Sequence, residues 1–110
     1  MKYKVILASK SNVRKEILLS NNFNCEVIPS NIDEDIFKKS YLQEKISPEN
    51  ISKNLAELKA NKVSLKKSDS FVLGADSVLD LDGELISKPK DRLEALKILR
   101  KLNGKTHDLI

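Results

Sequence analysis

The sequence predicts an α/β domain with a mixed sheet flanked by helices. Three observations carry that expectation. Residues 3–27 pass from an apolar run through a helical pattern to an alternating run. Asp82-Gly83 between two apolar runs marks an antiparallel hairpin, and residues 91–102 carry a helical apolar stripe. A length of 110 residues suits one domain of the commonest size. With 40% hydrophobic and 33% charged residues, the chain has enough apolar content to fill a core.

Tyr3 to Ala8 is β-branched and apolar, as in a strand. The polar stretch Ser9-Lys10-Ser11-Asn12 follows, with Ser11 as an N-cap candidate. Val13, Ile17 and Leu18 then fall on one face of a helix of about ten residues. Asn21-Asn22 ends it, and Phe23 to Pro29 reads as a second strand, with Phe23, Cys25 and Val27 alternating against Asn24 and Glu26. Residues 30–35 form a polar, acidic connection. From Ile36 to about Lys66 the pattern is helical but interrupted. Ser47-Pro48 places a cap before a proline at the first helical position, so a new helix begins there and continues through Ile51, Leu55, Leu58, Lys59 and Val63. After the break at Ser68 to Ser70, a third strand is expected from Phe71 to about Leu81, running through Gly74-Ala75-Asp76. Glu84 to Ile86 should pair back across the Asp82-Gly83 turn. Asp91 to Leu102 is the clearest amphipathic helix, with Leu93, Leu96, Leu99 and Leu102 on one stripe and Gly104 as its stop. Thr106 to Ile110 opens a further strand. Because the sequence stops inside that apolar run, a continuation of the domain is expected.

Composition narrows the function classes. The 20 Lys and Arg against 16 Asp and Glu give a net charge of +4, but the lysines are interspersed with acidic residues. The five Phe and Tyr residues are scattered, and there is no Trp. A dedicated nucleic-acid module would concentrate charge on one face and add stacking aromatics, so a solvated basic surface is the simpler reading. Cys25 has no partner for an intrachain disulfide. His107 is the sole histidine, which removes structural zinc from consideration. The apolar run Val5 to Ala8 is too short for a signal-peptide core or a membrane span, so a cytoplasmic protein without membrane attachment is expected.

Three places combine small or polar residues with strand ends, where α/β proteins bind ligands. In Ala8-Ser9-Lys10-Ser11, hydroxyls and backbone N–H groups at a helix start, backed by Arg14 and Lys15, could bind a phosphate. Basic side chains at that end oppose the helix dipole, and an anion would relieve the conflict. A capped helix with surface charges is the plainer alternative, and no glycine-rich phosphate loop is present. Asp76 sits within an apolar strand pattern, where an unpaired carboxylate is costly; it implies a metal, a basic partner or a reacting water. The alternative is a bulge aspartate bonded to backbone. Ser87-Lys88-Pro89 sets a lysine on an extended backbone. Of the weaker candidates, Asp33-Glu34-Asp35 could hold a divalent cation or simply be solvated. Lys59, in an apolar helical stretch, could snorkel or meet a phosphate, and His107 could be a base, although a lone histidine near a strand start is more often structural.

Together these segments resemble the Maf family of nucleoside triphosphate pyrophosphatases. The resemblance rests on six motifs in order: Leu7-Ala8-Ser9-Lys10-Ser11 through Arg14 to Glu16-Ile17-Leu18; Asp33-Glu34; Leu55-Ala56-Glu57-Leu58-Lys59-Ala60; Gly74-Ala75-Asp76-Ser77-Val78; Asp82-Gly83 with Lys88-Pro89; and Leu102-Asn103-Gly104-Lys105-Thr106-His107. It implies a Maf/ITPase-like fold of which residues 1–110 form the N-terminal part, because the family's later segment Tyr-x-Ile-Gln-Gly is absent. It further implies hydrolysis of nucleoside triphosphates, non-standard ones included, to monophosphate and pyrophosphate. Asp76 would be the general base or a metal-associated carboxylate. Arg14, Lys59 and Lys88 would face phosphate, Ser9, Ser11 and Lys15 would line the phosphate end, and Glu34 would assist the water or a divalent metal, Mg²⁺ or Mn²⁺. Val13 stands where the pyrimidine-selective branch carries the first of two arginines, and Ser77 replaces the usual threonine; both positions are tied in the family to base selectivity. A homodimer and a link to septum formation are also implied. The alternatives are a non-catalytic remnant that keeps a nucleotide phosphate site and, less well matched to the motifs, a small basic nucleic-acid-binding protein.

Overall fold

A computed structural model describes residues 3–86, 88 and 91–110. The element order is β1 (Tyr3–Leu7), α1 (Asn12–Ser20), β2 (Phe23–Val27), α2 (Glu34–Gln43), α3 (Pro48–Ser64), β3 (Val72–Leu73), β4 (Leu79–Leu81), β5 (Glu84–Ile86), α4 (Arg92–Leu102) and β6 (Asp108–Leu109). Two three-stranded sheets result, one parallel in the order β2-β1-β3 and one antiparallel in the order β5-β4-β6. The expected mixture of strand directions is therefore split between two sheets.

Strand β1 is central in the first sheet, paired with β2 from Tyr3↔Phe23 to Leu7↔Val27 and with β3 through Ile6↔Val72 and Leu7↔Leu73. Its Ile6, Leu7 and Ala8 are buried, as a strand covered on both faces requires. Helix α3 supplies the cover on the face that carries Ile6 and Ala8. Ser47 caps it, accepting from the Asn50 N–H, and Pro48 opens it. Its buried Ile51, Leu55, Lys59 and Val63 recur every four residues along one face. Lys59 thus occupies a core position in an otherwise apolar row. Ile6, Ala8 and Val63 form a core cluster against which Ile28 and Val72 pack.

The expected third strand, Phe71 to Leu81, is divided. Only Val72–Leu73 pairs with β1, residues 74–78 leave the ladder, and Leu79–Leu81 joins the other sheet. At the Asp82-Gly83 turn both residues have positive φ, 49° and 86°, the conformation of a type I′ hairpin. The predicted last strand exists as β6, and Val78 and Ile110 exchange backbone hydrogen bonds of 2.9 and 3.0 Å beyond it.

Helix α4 forms as expected, capped by the Asp91 carboxylate. Its Leu93, Leu96 and Leu99 are exposed, as are Val13 and Ile17 of α1. Helical spacing places these residues on one face, but among the described residues nothing buries them. The radius of gyration, 15.7 Å, exceeds the roughly 13 Å of a compact 100-residue domain. No helix among the described residues is long and apolar enough to cross a membrane.

Candidate functional site

The parallel strands end at one rim, and their carboxyl-terminal continuations line an open cavity of about 420 Å³. Ala8, Ser9 and Ser11 come from the β1–α1 turn, Ser30 and Asn31 from beyond β2, and Asp76 and Ser77 from beyond β3. Glu34 and Lys38 reach in from α2, and Lys59 from α3. Five cationic side chains, Lys10, Arg14, Lys38, Lys59 and Lys88, face two carboxylates, Glu34 and Asp76. Such an excess of positive charge in a cleft suits a multiply charged anion.

The β1–α1 turn is held by its own side chains. Ser11 caps α1 by accepting from the Arg14 N–H at 3.3 Å, and the buried Ser9 hydroxyl oxygen accepts from the Ser11 N–H at 3.2 Å. Arg14 is then tied across the cavity wall. Its Nη1 donates to Ser9 Oγ at 2.9 Å and to the Ala75 carbonyl at 3.1 Å, and its Nη2 donates to Ser77 Oγ at 3.3 Å. Expected to face phosphate, this guanidinium chiefly fastens α1 to the 74–77 segment.

The centre of the site is Lys59. It is only 6% exposed, and its ammonium donates to Glu34 Oε1 at 2.7 Å, Asp76 Oδ1 at 3.0 Å and the Ala75 carbonyl at 3.3 Å. Three N–H groups meet three acceptors, which makes burial of the charge tolerable. The Asp76 side chain is 7% exposed, and its second oxygen, Oδ2, is buried with no hydrogen-bond partner among the described residues. A buried carboxylate oxygen left open in this way is an acceptor awaiting a water, an ion or a ligand.

The segment bearing Asp76 lies close against α3 because Gly74 has no side chain. A Cβ there would overlap the Ala56 carbonyl oxygen and sit 2.9 Å from Ala60 Cβ and N. The contact explains why the strand pattern breaks here: the chain packs on a helix, and the Ala75 carbonyl accepts from Arg14 and Lys59.

Glu34 lies at the start of α2, whose cap is Asp33 accepting from the Ile36 N–H. Burial pushes the Glu34 carboxyl up, but the hydrogen bond and charge of Lys59, with the charges of Lys38 and Lys88, outweigh it and hold the group below its ordinary 4.5. A carboxyl with a lower pKa folded than unfolded stabilises the fold above its unfolded pKa, and that contribution disappears as pH falls through the folded value. Glu34→Gln is therefore expected to lose less stability than the parent between pH 7 and about pH 3. Urea midpoints at the two pH values measure this, and an unchanged difference between them would refute it.

Of the residues singled out in the sequence, Ser9, Ser11, Arg14, Glu34, Lys59, Asp76, Ser77 and Lys88 all line the cavity. Lys15 and Val13 do not. The helix turns about 100° per residue, so with Arg14 facing the cavity its two neighbours point elsewhere, and Val13 is 67% exposed. Ser87 and Pro89, expected to set the backbone around Lys88, lie outside the described residues. His107 is exposed and away from the cavity. No cluster of three or more His, Cys, Asp or Glu residues is found among the described residues, so the acidic triplet 33–35 does not converge. Residues not foreseen are Ser30, Asn31 and Lys38. The spacing of Lys38 four residues after Glu34 was the available signal.

Residues 4–110 match the family model described as Maf-like protein. The chain is 64% identical over 106 residues to a nucleoside triphosphate pyrophosphatase of Pelagibacter ubique, covering 96% of this chain and 54% of that protein. It is 42% identical to a dTTP/UTP pyrophosphatase of Fusobacterium nucleatum, with coverage of 96% and 52%. Identity to a 7-methyl-GTP pyrophosphatase of Mesorhizobium japonicum is 38%, with coverage of 99% and 55%. The chain spans about half the length of the curated relatives it matches. Motif order, a cavity at the ends of the parallel strands and these similarities agree: the chain belongs to the family of Maf-like proteins.

Proposed function

We propose that this site hydrolyses nucleoside triphosphates to nucleoside monophosphate and pyrophosphate. The observation that carries the reading is the buried, unpartnered Asp76 Oδ2 beside the Lys59 ammonium, in a cavity where cations outnumber carboxylates. The names of the relatives point to the same reaction class.

Water attacks the α-phosphorus and gives up a proton to Asp76 Oδ2, the bond from that phosphorus to the bridging oxygen breaks, and pyrophosphate leaves with the electron pair. Lys59 fixes the other Asp76 oxygen, so the carboxylate meets the water through Oδ2. Ser9, Ser11 and Lys88 lie where phosphate oxygens would be received, and the positive field of the cavity offsets the charge that develops on them. Glu34 and Asp76, both in contact with Lys59, are the two carboxylates of the cavity and would hold a Mg²⁺ or Mn²⁺ ion; where Asp76 Oδ2 takes the proton of the water, Glu34 would be the carboxylate ligand of that ion. When bound, such an ion neutralises charge on the transferring and leaving groups.

Ser77 lines the cavity and is the residue through which we expect the base to be selected; Val13 faces away from it. Non-standard nucleotides belong to the same substrate class. We further expect the protein to act in the cytoplasm as a homodimer, with a link to septum formation and no stable nucleic-acid partner.

Pyrophosphate release from dTTP, UTP, 7-methyl-GTP and the common triphosphates, with Mg²⁺ or Mn²⁺, tests the proposal. Asp76→Asn should lower turnover by about a hundredfold or more. Triphosphate binding without any turnover by the parent chain would favour a non-catalytic nucleotide-binding role instead.

A further inference from the structure

We propose that Lys38, on α2, takes the pyrophosphate end of the ligand; this rests on the triphosphate reading above. The other buried or half-buried cations of the cavity are already engaged. All three Lys59 donors go to Glu34, Asp76 and Ala75, and Arg14 is spent on Ser9, Ala75 and Ser77. Lys38 lines the same cavity with a side chain only 15% exposed, although a helix-surface lysine ordinarily extends its head into water. Its ammonium makes no hydrogen bond among the described residues. Its ionic contact is with Glu34 Oε2 at 4.0 Å, the outer limit of an ion pair. Three N–H donors are thus held at the cavity wall for an incoming anion.

Position assigns the part of the ligand. The Glu34 carboxylate separates Lys59, on Oε1, from Lys38, on Oε2. Lys59 holds Asp76 at 3.0 Å, whereas the ionic contact of Lys38 is with Glu34. Of the two arms that extend from a phosphorus at Asp76 Oδ2, the charged pyrophosphate rather than the nucleoside is the one that an ammonium with free donors attracts. A nucleoside monophosphate lacks that arm, and pyrophosphate supplies two phosphates with several negative charges, which the ammonium binds by charge-assisted hydrogen bonds.

Calorimetric titration of the full chain with inorganic pyrophosphate, and separately with UMP, tests the assignment. Lys38→Ala should weaken pyrophosphate binding by roughly tenfold and leave UMP binding unchanged, the loss of one such contact. Lys38→Arg, which keeps the charge, should restore most of it, and far-UV circular dichroism should be the same for all three proteins. Pyrophosphate affinity unchanged in Lys38→Ala, equal weakening of both ligands, or no pyrophosphate binding by the parent chain would each overturn the proposal. Turnover is scored apart. Pyrophosphate binding that depends on Lys38 without any triphosphate hydrolysis supports this site and overturns the hydrolase reading. Hydrolysis with an unchanged KM in Lys38→Ala overturns the site and supports the reading.

Discussion

Gly74→Ala should destabilise the protein by about 3 kcal/mol or more and remove activity with it. The added methyl group would overlap the Ala56 carbonyl oxygen and lie 2.9 Å from both Ala60 Cβ and Ala60 N, and two of those three atoms are backbone of α3. No rotamer change relieves such a clash. Either α3 moves away from the 74–77 segment or the segment moves away from α3, and each motion stretches the bonds from Lys59 to Asp76 and to the Ala75 carbonyl. Loss of activity should therefore persist at temperatures where the variant is still folded. Urea midpoints measure the first effect and pyrophosphate release at low temperature the second. A variant with parental stability would show that the helix and the segment are not in fixed contact.

That contact also marks the limit of what the sequence discloses. Elements whose signals are local were legible: Ser11 and Ser47 as caps, Pro48 as a helix start, Asp82-Gly83 as a hairpin turn, and α4 from its leucine period. The third strand differs from its expected extent because Phe71 to Leu81 reads as one apolar run. What divides it is tertiary: a glycine against α3, and two cations from α1 and α3 converging on one carbonyl. The cavity-lining residues are reached largely through motif order, which names positions but not partners. Nothing local shows that Arg14 bonds to Ala75 and Ser77, more than sixty residues away. Lys59 was visible as an oddity within an apolar stripe; that it joins two carboxylates depends on how α2 and the 74–77 segment are brought to it.

Lys59→Met tests the electrostatic centre of the site. Methionine matches the length and apolar stem of lysine, so the Ile51, Leu55 and Val63 row remains filled. What disappears is the ammonium shared by Glu34 Oε1 and Asp76 Oδ1. The Ala75 carbonyl still accepts from Arg14, and Glu34 keeps Lys38 and a half-exposed position, so neither is stranded. Asp76 is different: its Oδ2 already lacks a partner among the described residues, and without Lys59 both oxygens of a side chain 7% exposed would be unpaired there. Removing one member of a buried ion pair ordinarily costs about 3–5 kcal/mol, mostly from the charge left behind. Stability should fall by an amount of that order in Lys59→Met, as read from urea midpoints, and turnover should be lost. If the cost is the stranded carboxylate, Asp76→Asn introduced into Lys59→Met should recover much of the stability while leaving the protein inactive. Additive losses in the double variant would mean instead that the two residues contribute separately, and the pair could not be the unit that fixes Asp76 in place.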